Sequence, residues 1–209
     1  LDIAGEGAAS LPAEQLTRIR EDATLSAELH EGPRASTTYV GFTMTKPPFD
    51  NVLVRKAFSA AIDRATMVRD VVGSGVVATQ FAPKGVFGAP DPEVGIQSDP
   101  EQAKKWLAEA GYPNGEGFPT VKYRYFSNTL EESLGQALQA MWKETLNVNV
   151  ELEAQEFPVF LAGIKPDVAL EEMPEMWRLG WGADYPDENN FVYEVFHCTD
   201  SSNYPRATC

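Results

Sequence analysis

The chain has 209 residues, 43% hydrophobic and 23% charged, enough apolar content to bury a core and to exclude wholesale disorder. With 31 acidic and 17 basic residues its formal charge is -14. Such a chain repels phosphate backbones and anionic membrane surfaces and lacks a basic stripe, which excludes nucleic acid as a partner.

LPAEQLTRIRED (11–22) predicts a short helix with Pro12 in its first turn. TTYVGF (37–42) predicts a strand, closed off by Lys46, Pro47 and Pro48 because proline cannot donate to a ladder. A long helix is predicted over 52–72. Phe58, Ala61, Ile62, Ala65, Val68 and Val72 recur at helical spacing on one face, Lys56, Asp63 and Asp70 share another, and Gly73-Ser74-Gly75 ends it. The Pro- and Gly-rich segment 81–95 reads as irregular surface. SDPEQAKKWLAEAGYP follows as a punctuated helix. Asp99 is its cap, Pro100 its first residue and Gln102 the partner in a capping box, with Gly111 and Pro113 stopping it.

The next stretch decides the fold class. Val121, Tyr123 and Tyr125 alternate with polar residues as a strand. Leu134, Ala137, Leu138, Met141 and Trp142 make the apolar stripe of a helix over 130–146, and Val148, Val150 and Leu152 alternate as a second strand. Strand, helix and strand on short links predict a right-handed parallel crossover. A short helix is expected from Phe157, and MWRLGW (176–181) reads as a further buried strand. The class is α/β, with a mixed, largely parallel sheet flanked by helices. WGADYPDENNF (181–191) begins where that last strand finishes, on the edge where open α/β sheets place ligands.

A catalytic reading finds little support. His30 and His197 are the two imidazoles, one in a polar segment and one near the chain end, and neither stands beside a nucleophile in sequence. There is no GxSxG elbow, Walker loop or HExxH. Asp184 and Asp187 form an acid pair that a glycosidase-like hydrolase would use, which is the rival from another class. The expectation is that the chain is not an enzyme and needs no cofactor. Cys198 and Cys209 bracket a Ser-, Asn- and Pro-rich loop. They are either two idle thiols in a reducing compartment or a short-loop disulfide in an oxidising one, the latter worth about 3 kcal/mol. Zinc is not expected, since His197 and two cysteines fall short of four ligands. The sequence opens on LDIAGEG without an initiator Met or a leader and ends on a cysteine, and both ends are expected to be cuts in a longer protein.

Three segments together resemble a known family. KPPFDNVLVRKAFSAAIDRATMV (46–68), DPEQAKKWLAEAGYPNGEGFP (99–119) and WGADYPDENNF (181–191) resemble the family 5 extracellular solute-binding proteins of ABC transporters, the oligopeptide- and dipeptide-binding type. The resemblance covers about 11–196. It departs at 42–45, where Phe-Thr-Met-Thr stands for the family's Phe-Asn-Thr, and at Glu188, where proline is common. It implies a periplasmic-binding-protein-like lobe (type II), residues 1–209, the C-terminal lobe and thus a fragment of a larger two-lobed protein that closes on its ligand about a hinge. It implies capture of oligopeptides or dipeptides, with nickel complexes, opines or sugars as alternatives, and delivery to permease subunits at the periplasmic or extracellular face. The parent would be a monomer, and a lipid anchor is compatible with it. The resemblance also implies that Asp184 pairs with a ligand α-amino group, with Trp181 and Tyr185 as apolar walls. Phe49, Phe58, Ile62, Trp106, Tyr112 and Phe118 are then scaffold.

Overall fold

The computed structural model describes residues 13–30 and 34–209. The chain divides into two units, 1–34 and 35–209. The first holds helix α1 (Ala13–Glu21) and a 3-10 turn at Ser26–Glu28; Pro12, expected in the first turn, lies outside the described residues.

The second unit is built on four strands, β1 (Ser36–Phe42), β2 (Val121–Phe126), β3 (Val150–Gln155) and β4 (Met176–Gly182), in the order β1-β4-β2-β3. β2 pairs in parallel with β3 and with β4, while β4 pairs antiparallel with β1. The sheet is thus mixed and largely parallel, as the alternation of strand and helix predicts. Because β2, β3 and β4 run the same way, Phe126, Gln155 and Gly182 end on one edge. The helices of this unit are α2 (Val52–Ala60), α3 (Arg64–Thr66), α4 (Pro100–Glu109), α5 (Thr129–Leu146), α6 (Phe157–Ala162) and α7 (Asn189–Phe196).

One sheet face carries the main core. Val121, Tyr123 and Tyr125 of β2 bury against Leu134, Leu138 and Trp142 of α5, and α2 adds Val54, Ala57 and Phe58. Phe49 is buried here as well, and Ile62, Trp106, Tyr112 and Phe118 pack partly buried against it. The indole of Trp142 donates to the Phe58 carbonyl at 3.0 Å, so the largest core side chain keeps its one donor satisfied. The other face buries Phe160, Ile164, Trp177 and Leu179. Gly41 lies opposite Trp177 in the β1–β4 register, and a Cβ there would sit inside the Trp177 ring. Gly41→Ala is therefore expected to lower stability by about 1–3 kcal/mol, read by urea unfolding, because the ring is fully buried and has little room to move.

The structure corrects three expectations. The helix over 52–72 is broken: α2 stops at Ala60, and α3 restarts after Asp63 and passes into a π-helical turn at Met67–Val72. Asp63 causes the break by capping its own turn, accepting from the Thr66 N–H at 3.0 Å and the Thr66 hydroxyl at 2.7 Å. Asp99 caps α4 through the Gln102 N–H at 2.9 Å, but the capping box is half formed, because the Asp99 N–H goes to the Ala60 carbonyl instead. The segment 81–95 is irregular but not simply surface. It buries Ala82 and Val86 in a third cluster with Phe191, against which Trp181 and Ala183 pack.

Candidate functional site

The 181–191 segment turns from β4 into α7 at the sheet edge where the parallel strands end. Its path is fixed from three sides. The Ala183 N–H donates to the Ala35 carbonyl at 2.8 Å, extending the β1–β4 pairing past Gly182. Phe87, from the segment expected at the surface, donates its N–H to the Pro186 carbonyl at 3.1 Å and accepts from the Glu188 N–H at 2.8 Å. The Asp187 carboxylate accepts from the Asn189 N–H at 2.9 Å and so opens α7.

The third brace comes from α7. Asn190 is fully buried (0% exposed). Its Oδ1 accepts the Asp184 N–H at 3.0 Å and the Trp181 indole N–H at 3.4 Å, and its Nδ2 donates to Glu194 Oε2 at 2.7 Å. The other Glu194 oxygen accepts from the Tyr185 hydroxyl at 2.7 Å, and that hydroxyl accepts in turn from Asn189 Nδ2 at 2.8 Å.

Asp184, Trp181 and Tyr185 are therefore brought together in one network, in different states. Asp184 is exposed; its backbone is tied to Asn190, and among the described residues its carboxylate has neither a hydrogen-bond donor nor an ion-pair partner. It accepts no N–H from the first turn of α7, where the Asn189 N–H goes to Asp187 instead. Trp181 is half-buried against the third cluster. Tyr185 is 39% exposed, with its hydroxyl hydrogen-bonded to Glu194 and Asn189. Asp187 takes part in the turn through one carboxylate oxygen, which accepts the Asn189 N–H. No lysine or arginine occurs between Trp181 and Phe196, so the negative charge of this rim has no cation within its own segment.

Asn190, Glu194 and Phe87 are the site-building residues that the sequence reading missed. The available signal was Asn190 and Glu194 standing four apart on one side of a helix that also carries Phe191 and Val195. Asp184 and Tyr185 stand exposed on the rim, and two depressions of about 370 Å³ lie elsewhere, one lined by Pro47, Pro48, Asp50, Asn51, Ala110 and Tyr112, the other by Val77, Thr79, Pro92, Glu93 and Gln97.

The two cysteines form a disulfide, Cys198–Cys209, with Cα atoms 5.3 Å apart. His197 stacks on Tyr193 at 4.3 Å, with Nδ1 beside the Thr199 hydroxyl at 2.9 Å. Among the described residues no group of three His, Cys, Asp or Glu side chains is placed to hold a metal ion, and no helix is long and apolar enough to cross a membrane.

Comparison with known proteins gives this geometry a family. Residues 1–203 match the model of the bacterial extracellular solute-binding proteins, family 5 Middle. The oligopeptide-binding protein OppA of Bacillus subtilis is 30% identical over 210 residues, covering 97% of this chain and 37% of that protein. Heme-binding protein A of Haemophilus influenzae is 28% identical over 179 residues, covering 84% of this chain and 32% of that protein. Among solved structures, the Escherichia coli murein tripeptide binding protein MppA superposes with a TM-score of 0.79 at 27% identity, covering 94% of this chain and 38% of that one. The chain thus spans roughly a third of the length of these curated relatives. The family consists of extracellular or periplasmic binding proteins of ABC transporters and is not enzymatic. The chain belongs to the family 5 bacterial extracellular solute-binding proteins.

Proposed function

We propose that this chain is the ligand-capturing part of a peptide-binding protein, and that Asp184 holds the α-amino group of the bound peptide. The observation that carries the reading is the contrast within Asp184. Its backbone is fixed by a fully buried asparagine, while its carboxylate faces solvent with no partner among the described residues. A carboxylate held in place and left unpaired at a strand end is prepared for an external cation. At about 4 Å an amine–carboxylate attraction is of order 4 kcal/mol at an effective dielectric near 20, before desolvation is subtracted.

Residues 1–209 would form one lobe of a longer, two-lobed protein, which closes about a hinge and presents its cargo to permease subunits. The exposed rim suits that arrangement, since half a cleft is what one lobe contributes. Two of the relatives carry peptides in their names, OppA and MppA. The heme-binding relative makes a non-peptide solute the outcome to watch for.

The test is calorimetric titration of the intact protein with tri-alanine and with N-acetyl-tri-alanine. The free amine is expected to bind tighter, and Asp184→Asn to lose on the order of 10- to 100-fold for tri-alanine with little change for the acetylated peptide. Equal affinities for the two peptides in the wild type would overturn the amine contact. Binding of neither would overturn the peptide assignment.

A further inference from the structure

We infer that Asn190 and Glu194 are positioning residues for the Asp184 site, acting as one hydrogen-bonded pair that aims the ligand-facing groups without touching the ligand. The inference rests on the reading of Asp184 as the amine-binding carboxylate. The geometry behind it is convergent. All three candidate ligand residues end on this pair: the Asp184 backbone and the Trp181 indole on Asn190 Oδ1, and the Tyr185 hydroxyl on Glu194 Oε1. The pair itself is joined at 2.7 Å across one turn of α7.

The chemistry of each position is specific. Two N–H groups point at one atom of the Asn190 amide, so that atom is the oxygen. The nitrogen is left to face the Glu194 carboxylate. No other side chain of this shape supplies both functions. An aspartate in place of Asn190 keeps the acceptor but sets a second carboxylate oxygen against Glu194, and two like charges at that distance do not both stay ionised in place. Glu194 accepts twice, from Asn190 and from Tyr185, which ties the phenol hydroxyl to α7 and fixes where the Tyr185 side chain stands. Asn190 is fully buried, which favours its bonds to Asp184, Trp181 and Glu194 over exchange with water.

A reversal of polarity tests the pair. In Asn190→Asp/Glu194→Gln the introduced glutamine amide donates to the introduced aspartate, and its oxygen still accepts from Tyr185. The introduced aspartate still accepts from the Asp184 N–H and the Trp181 indole. The readout is the affinity ratio of tri-alanine to N-acetyl-tri-alanine for the intact protein, with the ligand-free melting temperature recorded for each variant. Asn190→Asp is expected to cut that ratio about tenfold, Glu194→Gln severalfold, and the double variant to return to within about threefold of wild type. A merely structural pair would shift the melting temperature and leave the ratio alone. The inference is overturned if the single variants keep the wild-type ratio, or if the double variant is no better than the worse single one. If Asn190→Asp does not fold, the comparison of Glu194→Gln with the double variant decides in the same way. A wild type that binds neither peptide is a different failure, that of the peptide reading, and the inference falls with it.

Discussion

Replacing Arg178 with methionine is expected to lower the unfolding free energy by about 3–5 kcal/mol, the loss typical of breaking one partner out of a buried ion pair. Arg178 projects from β4 with its side chain 14% exposed, and meets Glu131, 2% exposed, in the first turn of α5 at 2.8 Å. The contact is ionic, since neither Arg178 Nε nor Glu131 Oε2 finds a hydrogen bond of good geometry. The guanidinium also lies over the Phe126 ring at 5.3 Å. Burial pushes the Glu131 carboxyl above the ordinary carboxylate range, and Arg178 pulls it part of the way back. The buried Tyr123 hydroxyl is pushed up too, first by burial and then by the Glu131 charge.

Without Arg178 nothing offsets the burial, and the carboxyl is raised further. A carboxyl whose folded pKa exceeds its unfolded value contributes stability that is present below the unfolded value and lost as pH rises through the folded one. The deficit of Arg178→Met is therefore largest at neutral pH and narrows as pH falls through the raised value. Urea unfolding at pH 7.5 and at pH 5 reads the effect. Glu131→Gln/Arg178→Met is expected to recover most of the loss, because it removes the stranded charge as well as its partner. A deficit that stays the same at both pH values would refute this assignment.

The second large effect concerns the C-terminal loop. Converting Cys198 and Cys209 to serine is expected to destabilise the protein by about 3 kcal/mol, from the loop entropy returned to the unfolded chain. The loop is well anchored when closed. Asn203 accepts from the Ala207 N–H at 2.8 Å and donates to the Ala207 carbonyl at 2.9 Å. Arg206 holds the carbonyls of Pro166, at 2.6 Å, and of Val168. The Tyr204 ring meets Trp177 at 6.0 Å, and the Met44 N–H donates to the Pro205 carbonyl at 2.9 Å. Opening the ring loosens a lid over the Trp177 face of the sheet. Wild type is expected to melt lower in reductant, to the level of the double-serine variant, while the variant itself is indifferent to reductant. A wild type insensitive to reduction would show that the non-covalent anchors suffice.

Much of this fold is legible in the sequence because periodicity reports burial directly. Val121, Tyr123 and Tyr125 alternate into the core, and the stripe ending in Trp142 lies across them. What periodicity misses are local bonds competing with it. The helical spacing from Phe58 to Val72 runs without a gap, yet Asp63 gains more by capping Thr66 than by continuing the helix. The Asp99 N–H likewise finds Ala60, a partner 39 positions away that no local motif encodes. The site divides in the same manner. The position of Asp184, Trp181 and Tyr185 at a strand end is legible from the buried strand that precedes them. Asn190 and Glu194 read as the solvated side of a short helix, because the bonds that occupy them come from Trp181, Asp184 and Tyr185 in the segment before it and leave no periodic signal.

The most direct measurement is mass spectrometry of the small molecules released by denaturing the intact protein after gentle purification, wild type beside Asp184→Asn. Peptides with free α-amino groups are expected on the wild type and depleted from the variant. Peptides carried equally by both, or a non-peptide solute that the substitution leaves in place, would contradict the assignment of Asp184 as the amine-binding residue.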